Sequence, residues 1–362
     1  VNQSAIALES AATRDHLDNL GDAERVAWRL ADIPDRPSAD ERNLPHDFPF
    51  GWFIAAYSDA VSAGEVLPMR YFGKELVLWR GDDGRARVLD AYCAHYGAHM
   101  AHGGRVHGNL LECPFHAWRW DQDGIAREIP YSRVIPPQAK RKDCVPSWPT
   151  CEVNGFIWIW YHPDRVPPLW DVQPVEEVAC DDWTPPTRFE WNIYSSLENM
   201  ADNNVDISHF KYVHGAPTVP TYEISFEGRR RTVLTRIALT TPRGPVDGSI
   251  DSFTYGPGQG WVRFRGLCDT LLQTVLTPVD RDHLKVSFAF TQPAQQATGS
   301  KARLAKALID DICRQMDQDK VILDRYQRRD RPLVCEGDGP FGKNRQYYSQ
   351  FFAGRKPPLI AA

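Results

Sequence analysis

The feature that most constrains this chain is a pair of short metal-binding words, Cys93-Ala94-His95 and Cys113-Pro114-Phe115-His116, separated by residues 96–112. Each word brings one thiolate and one imidazole to a tight turn, so two loops deliver two donors of each kind. Such a set suits a [2Fe–2S] centre with two thiolates on one iron and two imidazoles on the other. Exchanging thiolates for neutral imidazoles raises its reduction potential above that of all-cysteine clusters. Gly97, Gly103, Gly104 and Gly108 supply the backbone freedom that such loops need. The competing reading is a Cys2His2 zinc site. Zinc spacings place two Cys two to four apart and then two His three to five apart. Here each pair is mixed, and the first has a single intervening residue, which fits zinc poorly. His99, His102 and His107 fall off the pattern and read as surface imidazoles.

The rest of the composition decides what kind of chain carries this site. With 362 residues the length prior suggests two domains. A net charge of −5 argues against a nucleic-acid binder, which shows a basic footprint. No apolar run approaches the ~20 residues of a membrane span, and no basic stretch followed by an apolar one marks the start, so the expectation is a cytoplasmic protein. In a reducing compartment, Cys144, Cys151, Cys180, Cys268, Cys313 and Cys335 read as ordinary buried or half-buried thiols.

Along the chain, residues 1–47 are polar, with an amphipathic helix permitted around Asp22–Leu30 and no evident chemistry. From Trp52 the text becomes short β-rich runs punctuated by turns, as in Glu75–Arg80 and Arg87–Asp90 with Gly81-Asp82-Asp83-Gly84 between them. This all-β module closes with the aromatic run Phe156–Tyr161, and Pro163, Pro167 and Pro168 form a linker. The second half mixes strand-like runs (Thr232–Ala238, Trp261–Arg265, Thr270–Thr277, His283–Thr291) with a long helix over 301–328. That pattern predicts an α+β domain with an antiparallel sheet.

A second metal site is signalled by His209 and His214. At about 100° per residue they stand roughly 140° apart on an ideal helix, so sharing a metal requires a helix that loosens or ends between them. Gly215 and Pro217 follow at once. A histidine pair alone is more often structural; beside an iron–sulfur site it reads as part of a two-histidine, one-carboxylate iron centre. The carboxylate comes from periodicity. On the 301–328 helix, Leu304, Leu308, Ile312, Met316, Leu323 and Tyr326 trace one stripe with Asp319 near its centre. Asp310, Asp317 and Asp324 project to the far side. A buried acid needs a partner, either a cation such as iron or an arginine in an internal salt bridge.

The run Cys93–Ala98, Cys113–Trp120 and Ile129-Pro130-Tyr131 resembles the Rieske domain of bacterial Rieske oxygenases, above all the oxygenase components of 3-ketosteroid 9α-hydroxylases and the related cholesterol 7-desaturases. The tail Arg331–Pro340 with Arg345–Phe352 resembles the same group. Residues 216–300 match nothing placed, and the Glu198–Asn204 lead-in departs from the hydroxylase pattern. The resemblance implies an N-terminal segment (1–47), a Rieske [2Fe–2S] domain (48–165) and a catalytic helix-grip (START-like) domain (166–362) with an antiparallel sheet. Cys93, His95, Cys113 and His116 would hold the cluster, and His209, His214 and Asp319 a mononuclear Fe(II). Asp206, His209 and His214 match the family's Asp-x-x-His-x-x-x-x-His motif. There the Asp bridges the cluster's second histidine in one subunit to the first iron histidine in the next, here His116 to Asp206 to His209. It also implies a head-to-tail homotrimer, since the two centres of one subunit are too far apart for electron transfer. An NAD(P)H-dependent flavin and iron–sulfur reductase would supply electrons, and O2 would be activated at the iron. The expected reaction is monooxygenation of a hydrophobic, steroid-like substrate. The alternatives are desaturation, demethylation or aromatic dihydroxylation on the same machinery, or an electron carrier whose C-terminal domain only binds a ligand.

Overall fold

The structure, a computed structural model, describes residues 20–354 apart from 242 and 243. The first 19 residues of the predicted N-terminal segment therefore lie outside the described residues. Two compact units emerge: residues 49–175, and residues 20–48 together with 176–354.

The first unit is built from eleven short strands. β1 (Gly51–Tyr57), β10 (Thr150–Val153) and β11 (Phe156–Tyr161) form one antiparallel sheet in the order β1-β11-β10. The aromatic run is its central strand, buried from Phe156 to Trp160, which explains why it does not alternate. A second sheet runs β2 (Val66–Tyr71), β3 (Lys74–Arg80), β4 (Ala86–Asp90), β9 (Ser147–Trp148). The third sheet, β5 (Arg105–His107), β6 (Leu110–Glu112), β7 (Arg119–Trp120) and β8 (Ala126–Glu128), carries the metal-binding words at its end. One lies between β4 and β5, the other in the β6–β7 hairpin. The chain stays with this unit through Val175, past the predicted boundary. Trp52 Nε1 donates to the Trp170 carbonyl, and the Asn154 side chain is bonded to both Gln173 and Val175.

The second unit is a seven-stranded antiparallel sheet, β12 (Thr187–Ile193), β18 (His283–Thr291), β17 (Thr270–Asp280), β16 (Gln259–Arg265), β15 (Gly244–Tyr255), β14 (Arg230–Thr241) and β13 (Thr221–Glu227), in that order. The predicted runs recur as β14, β16, β17 and β18. β15 escaped the pattern because Gly244-Pro245-Val246-Asp247-Gly248-Ser249 offers no apolar alternation. Around the sheet are α1 (Asp22–Leu30), α2 (Leu197–Asn203), α3 (His209–Tyr212), α4 (Ala302–Leu323) and α5 (Phe341–Ser349). Among the described residues no helix is long and apolar enough to cross a membrane.

Several local expectations need correction. The long helix ends at Leu323, not near 328. Its next carbonyl, Asp324 O, is taken by Arg42 Nη1 at 3.0 Å, and the Asp324 carboxylate turns to Tyr194 N at 2.8 Å. Leu304 and Tyr326 are exposed, so the apolar stripe is shorter than expected. Asp317 and Asp324 do leave the Asp319 face, but both are buried. The cause is non-local. Arg29 of α1 donates from Nε and Nη2 to both oxygens of Asp317, at 2.7 and 2.8 Å, and Trp191 Nε1 adds a third bond at 2.7 Å. Lys320 Nζ meets Asp324 Oδ2 at 2.7 Å. Burial pushes the Lys320 pKa down and the Asp324 pKa up, each against the opposing pull of its partner. Helix α4 is therefore buried on two faces, the second covered by an N-terminal segment that had shown no chemistry. Cys180 and Cys335 are exposed and the other four non-motif thiols buried or half-buried. His99 is half-buried, its Nδ1 accepting from Ala101 N at 3.3 Å.

Asp317→Ala leaves Arg29 charged, buried and unpaired. Breaking such a pair costs about 3–5 kcal/mol, so the expected result is a matching loss of unfolding free energy in denaturant titration. An effect below about 1 kcal/mol, the value of an exposed pair, would show the network to be ornamental.

Candidate metal centres

The two words of the first unit fold into turns with the same hydrogen-bond pattern. In one, Gly97 N donates to Cys93 O at 2.8 Å and Cys93 N to Ala98 O at 2.9 Å. In the other, Ala117 N donates to Cys113 O at 3.0 Å and Cys113 N to Trp118 O at 2.8 Å. The fifth residue of each turn has positive φ, 75° at Gly97 and 55° at Ala117. Glycine accepts this freely, whereas at Ala117 a side chain is held in the left-handed region by its surroundings. The turns bring His95 and His116 to a ring-centroid separation of 4.8 Å. Cys93 and Cys113 are buried in one apolar cluster with Trp79, Leu111, Trp118 and Trp120. The closeness of the two thiols draws the Cys113 pKa down to about 6 and pushes that of Cys93 up.

These residues fit the implied cluster. His116 Nδ1 is buried without a hydrogen-bond partner among the described residues, an orphan state that a metal bond would relieve. Trp118 stacks on His95 at 4.4 Å and 14° and donates its Nε1 hydrogen to Tyr131 Oη at 2.7 Å. Tyr96, Phe115 and Tyr131 form an exposed aromatic collar around His116.

In the second unit, His209 opens α3 and His214 follows its end. His209 O accepts from Val213 N at 2.7 Å and from His214 N at 3.4 Å, so the last turn widens. Gly215, at φ 77°, then takes the chain away. The loosening required by their spacing is present, and the rings lie 4.9 Å apart. Asp319 arrives from α4, placing one atom each of His209, His214 and Asp319 within 4.8 Å of one another. Among the described residues this is the one group of three or more His, Cys, Asp or Glu side chains that converges closely enough for a single ion.

His214 Nε2 is 3.4 Å from Asp319 Oδ1, and Asn203 Nδ2 donates to Asp319 Oδ2 at 3.2 Å. Burial pushes the His209 pKa below the usual range, Asp319 opposing it, so the ring is neutral and able to ligate. Asp206 is half-buried beside His209. Its Oδ1 accepts from Ser208 N, Ser208 Oγ and His209 N at 3.1, 2.9 and 3.3 Å, and its main-chain carbonyl, not its carboxylate, meets His209 Nδ1 at 2.5 Å. The lead-in that departed from the expected pattern is α2, capped by Ser196 and buried. It is held by Asp202, which binds Arg345 Nη2 at 2.7 Å and Asn344 Nδ2 at 3.1 Å. The C-terminal tail thus steadies the helix that carries Asn203. Sequence reasoning missed the roles of Asn203 and of Gln318, which lies beside His214; adjacency to Asp319 was the available clue for Gln318.

The triad lines a cavity of about 170 Å³ between α2, α3, α4 and the sheet. It shares Phe210, His214, Ile250, Phe264, Ile312 and Gln315 with an adjoining space of about 590 Å³. A larger cleft of about 880 Å³ between α1 and α4 contains none of the three.

A two-thiolate, two-imidazole site in a β unit, with a two-histidine, one-carboxylate site in a sheet-and-helix unit, defines a redox protein that pairs an iron–sulfur cluster with a mononuclear iron. Residues 51–149 match the Rieske [2Fe-2S] domain, and residues 159–352 match the 3-ketosteroid 9alpha-hydroxylase C-terminal domain. The chain belongs to the Rieske non-haem iron oxygenases, as a terminal oxygenase component with that C-terminal domain. Among its relatives is a probable 3-ketosteroid-9-alpha-monooxygenase oxygenase component of Rhodococcus rhodochrous. It is 31% identical over 335 residues, covering 85% of this chain and 81% of that protein. The cholesterol 7-desaturase nvd of Xenopus laevis is 27% identical over 345 residues, 87% of this chain and 74% of that one. Dicamba monooxygenase bound to 3,6-dichlorosalicylic acid shares the fold, with a TM-score of 0.66 at 18% identity over 83% of this chain and 96% of that one. Family membership implies a reductase partner and O2.

Cys113→Ser is expected to abolish the visible absorption and EPR signal of the cluster. Asp319→Ala is expected to keep both while iron falls from three to two per chain. A Cys113→Ser protein with an intact Rieske signal would refute the cluster ligands; three irons in Asp319→Ala would refute the carboxylate.

Proposed function

We propose that this chain is the oxygenase component of a multicomponent monooxygenase that hydroxylates a steroid-like polycyclic substrate. The observation that carries this reading is the apolar space of about 590 Å³ that reaches the triad at His214. Its walls include Ile237, Phe264, Leu267, Leu304, Leu308 and Ile312. That volume lies in the range of small-molecule sites, which are concave, mostly apolar and provided with few polar groups. Matches to both steroid hydroxylases and sterol desaturases support the same substrate class.

In this reading Cys93, His95, Cys113 and His116 hold the cluster, and His209, His214 and Asp319 hold the mononuclear iron. With both groups bound, the available chemistry is reductive activation of O2: two electrons and two protons are consumed, one oxygen atom enters a C–H bond and the other leaves as water. The chain's own residues do the rest. Ile312, Phe264 and Phe210 exclude water and present the ring system to the triad. Asn203 holds one oxygen of Asp319, fixing the carboxylate's orientation. Asp206 holds His209 through its carbonyl and keeps a half-buried carboxylate beside it, in place to join the exposed His116 collar of a second copy. Exposed Tyr96, Phe115 and Tyr131 beside that histidine suit burial against such a neighbour. A head-to-tail homotrimer follows from this reading.

A specific observation favours a second reaction on the same site, since the cholesterol 7-desaturase match spans 87% of the chain. Turnover of a panel of 3-keto steroids and 3-hydroxy sterols, with a surrogate NADH-dependent reductase, separates the two by product mass. Gain of one oxygen atom is expected; loss of two hydrogens would establish the desaturase. No turnover of any steroid, with coupled turnover of an aromatic substrate, would overturn the substrate class.

Asp206→Asn preserves size and the ability to cap α3 but removes the charge. The expected protein folds, assembles and retains three irons per chain, while steady-state turnover falls about 10–100-fold. Reduction by the reductase proceeds at the normal rate, and reoxidation in single-turnover mixing slows. Reoxidation at the wild-type rate with product formed would leave Asp206 as a cap only.

A further inference from the structure

His209 and His214 are oriented by different means. His209 Nδ1 meets a main-chain carbonyl, Asp206 O, which no side-chain substitution removes. His214 Nδ1 lies 3.0 Å from Oε1 of Gln318, the residue immediately before Asp319. Both acceptors are carbonyl oxygens, which receive a hydrogen and have none to give. Each contact therefore places the ring hydrogen on Nδ1 and leaves the Nε2 lone pair bare. For His214 this matters directly, because Nε2 is the atom that faces Asp319 Oδ1 at 3.4 Å. The other tautomer would aim an N–H at that carboxylate and close the position with a hydrogen bond.

We propose that Gln318 is the positioning residue that selects the metal-binding tautomer of His214, an inference that rests on assigning His209, His214 and Asp319 to the mononuclear iron. Gln318 is buried and precedes Asp319 on α4, so one turn of helix presents the carboxylate and orients the imidazole. Its amide must present oxygen, because the amide nitrogen in that place would donate to Nδ1 and force the hydrogen onto Nε2. Asn203 does the complementary task for Asp319, engaging Oδ2 and leaving Oδ1 toward His214. Each of these two ligands is thus held by a side-chain amide used in the opposite sense, one accepting and one donating. Such outer partners change metal affinity by about 10–100-fold when removed.

The test uses full-length, cluster-loaded protein stripped of mononuclear iron by a chelator. Gln318→Met keeps length and volume but loses the acceptor; Gln318→Glu keeps an acceptor. Titration with Fe(II) is expected to show binding weakened about 10–100-fold in Gln318→Met and close to wild type in Gln318→Glu, with the cluster EPR signal unchanged in both. In the stripped protein, the imidazole 15N shifts of His214 are expected to report hydrogen on Nδ1 in wild type and a tautomer mixture in Gln318→Met. Wild-type affinity with an unmixed tautomer in Gln318→Met overturns the proposal. Equal loss in both variants also overturns it, by reducing Gln318 to packing. His214→Ala measured alongside separates the two levels. Retained iron there sinks the triad itself, whereas loss there without loss in Gln318→Met sinks only the role of Gln318.

Discussion

A carboxylate inside a protein must meet positive charge, and helix α4 carries two of them only two residues apart. Asp317 meets Arg29 from the N-terminal segment, with Trp191 completing its hydrogen bonds. Asp319 faces the opposite way, toward His209, His214 and Asn203. Successive helical positions diverge by about 100°, so a helix that satisfies one acid is committed in rotation for the other. The arginine side is closed by the protein itself; the histidine side is where we propose that a metal completes the set. The rest of the second unit follows from keeping α4 in that rotation. α1 packs on one side, β12 supplies Trp191 from beneath, and Lys320 with Asp324 anchors the last turn.

The first unit meets a different demand. Two thiolates and two imidazoles must stand apart enough for two irons yet remain within one short hairpin's reach. The molecule uses the same turn twice, with hydrogen bonds at the same offsets and a left-handed residue at the same place. That the second copy uses Ala117 where the first uses Gly97 shows that the turn is held by the packed neighbours Trp118 and Trp120 as well as by local preference.

How much of this was legible in the sequence depends on how far each partner lies along the chain. Both cluster words are local, and their chemistry could be read from residue type and spacing alone. His209 and His214 required one further step, that their helix should widen, which their separation around the axis already demanded. Asp319 was reachable because a long helix reports its own inner face. What stayed hidden was non-local. Asp317 looked like an outward acid because Arg29 lies almost three hundred positions earlier in the chain. β15 went unread because its inward residues are Ile250 and Ser252 among glycines and acids, and its membership in the sheet is decided by β14 and β16. The tail looked like a family signature without a task until Arg345 and Asn344 were found gripping α2.

The cavity walls have a division of labour with an evolutionary reading. The groups facing the metal position come from α2, α3 with the turn that follows it, and α4, whereas half of the residues lining the cavity beside them come from the sheet, among them Val233, Ile250, Phe264 and Leu272. A strand side chain can be enlarged, trimmed or made polar without moving a helix, so the guest can change while the redox apparatus stays as it is. Lineages built on this scaffold can diverge in what they transform at little cost to how they transform it wherever the change falls on the strand half of the wall.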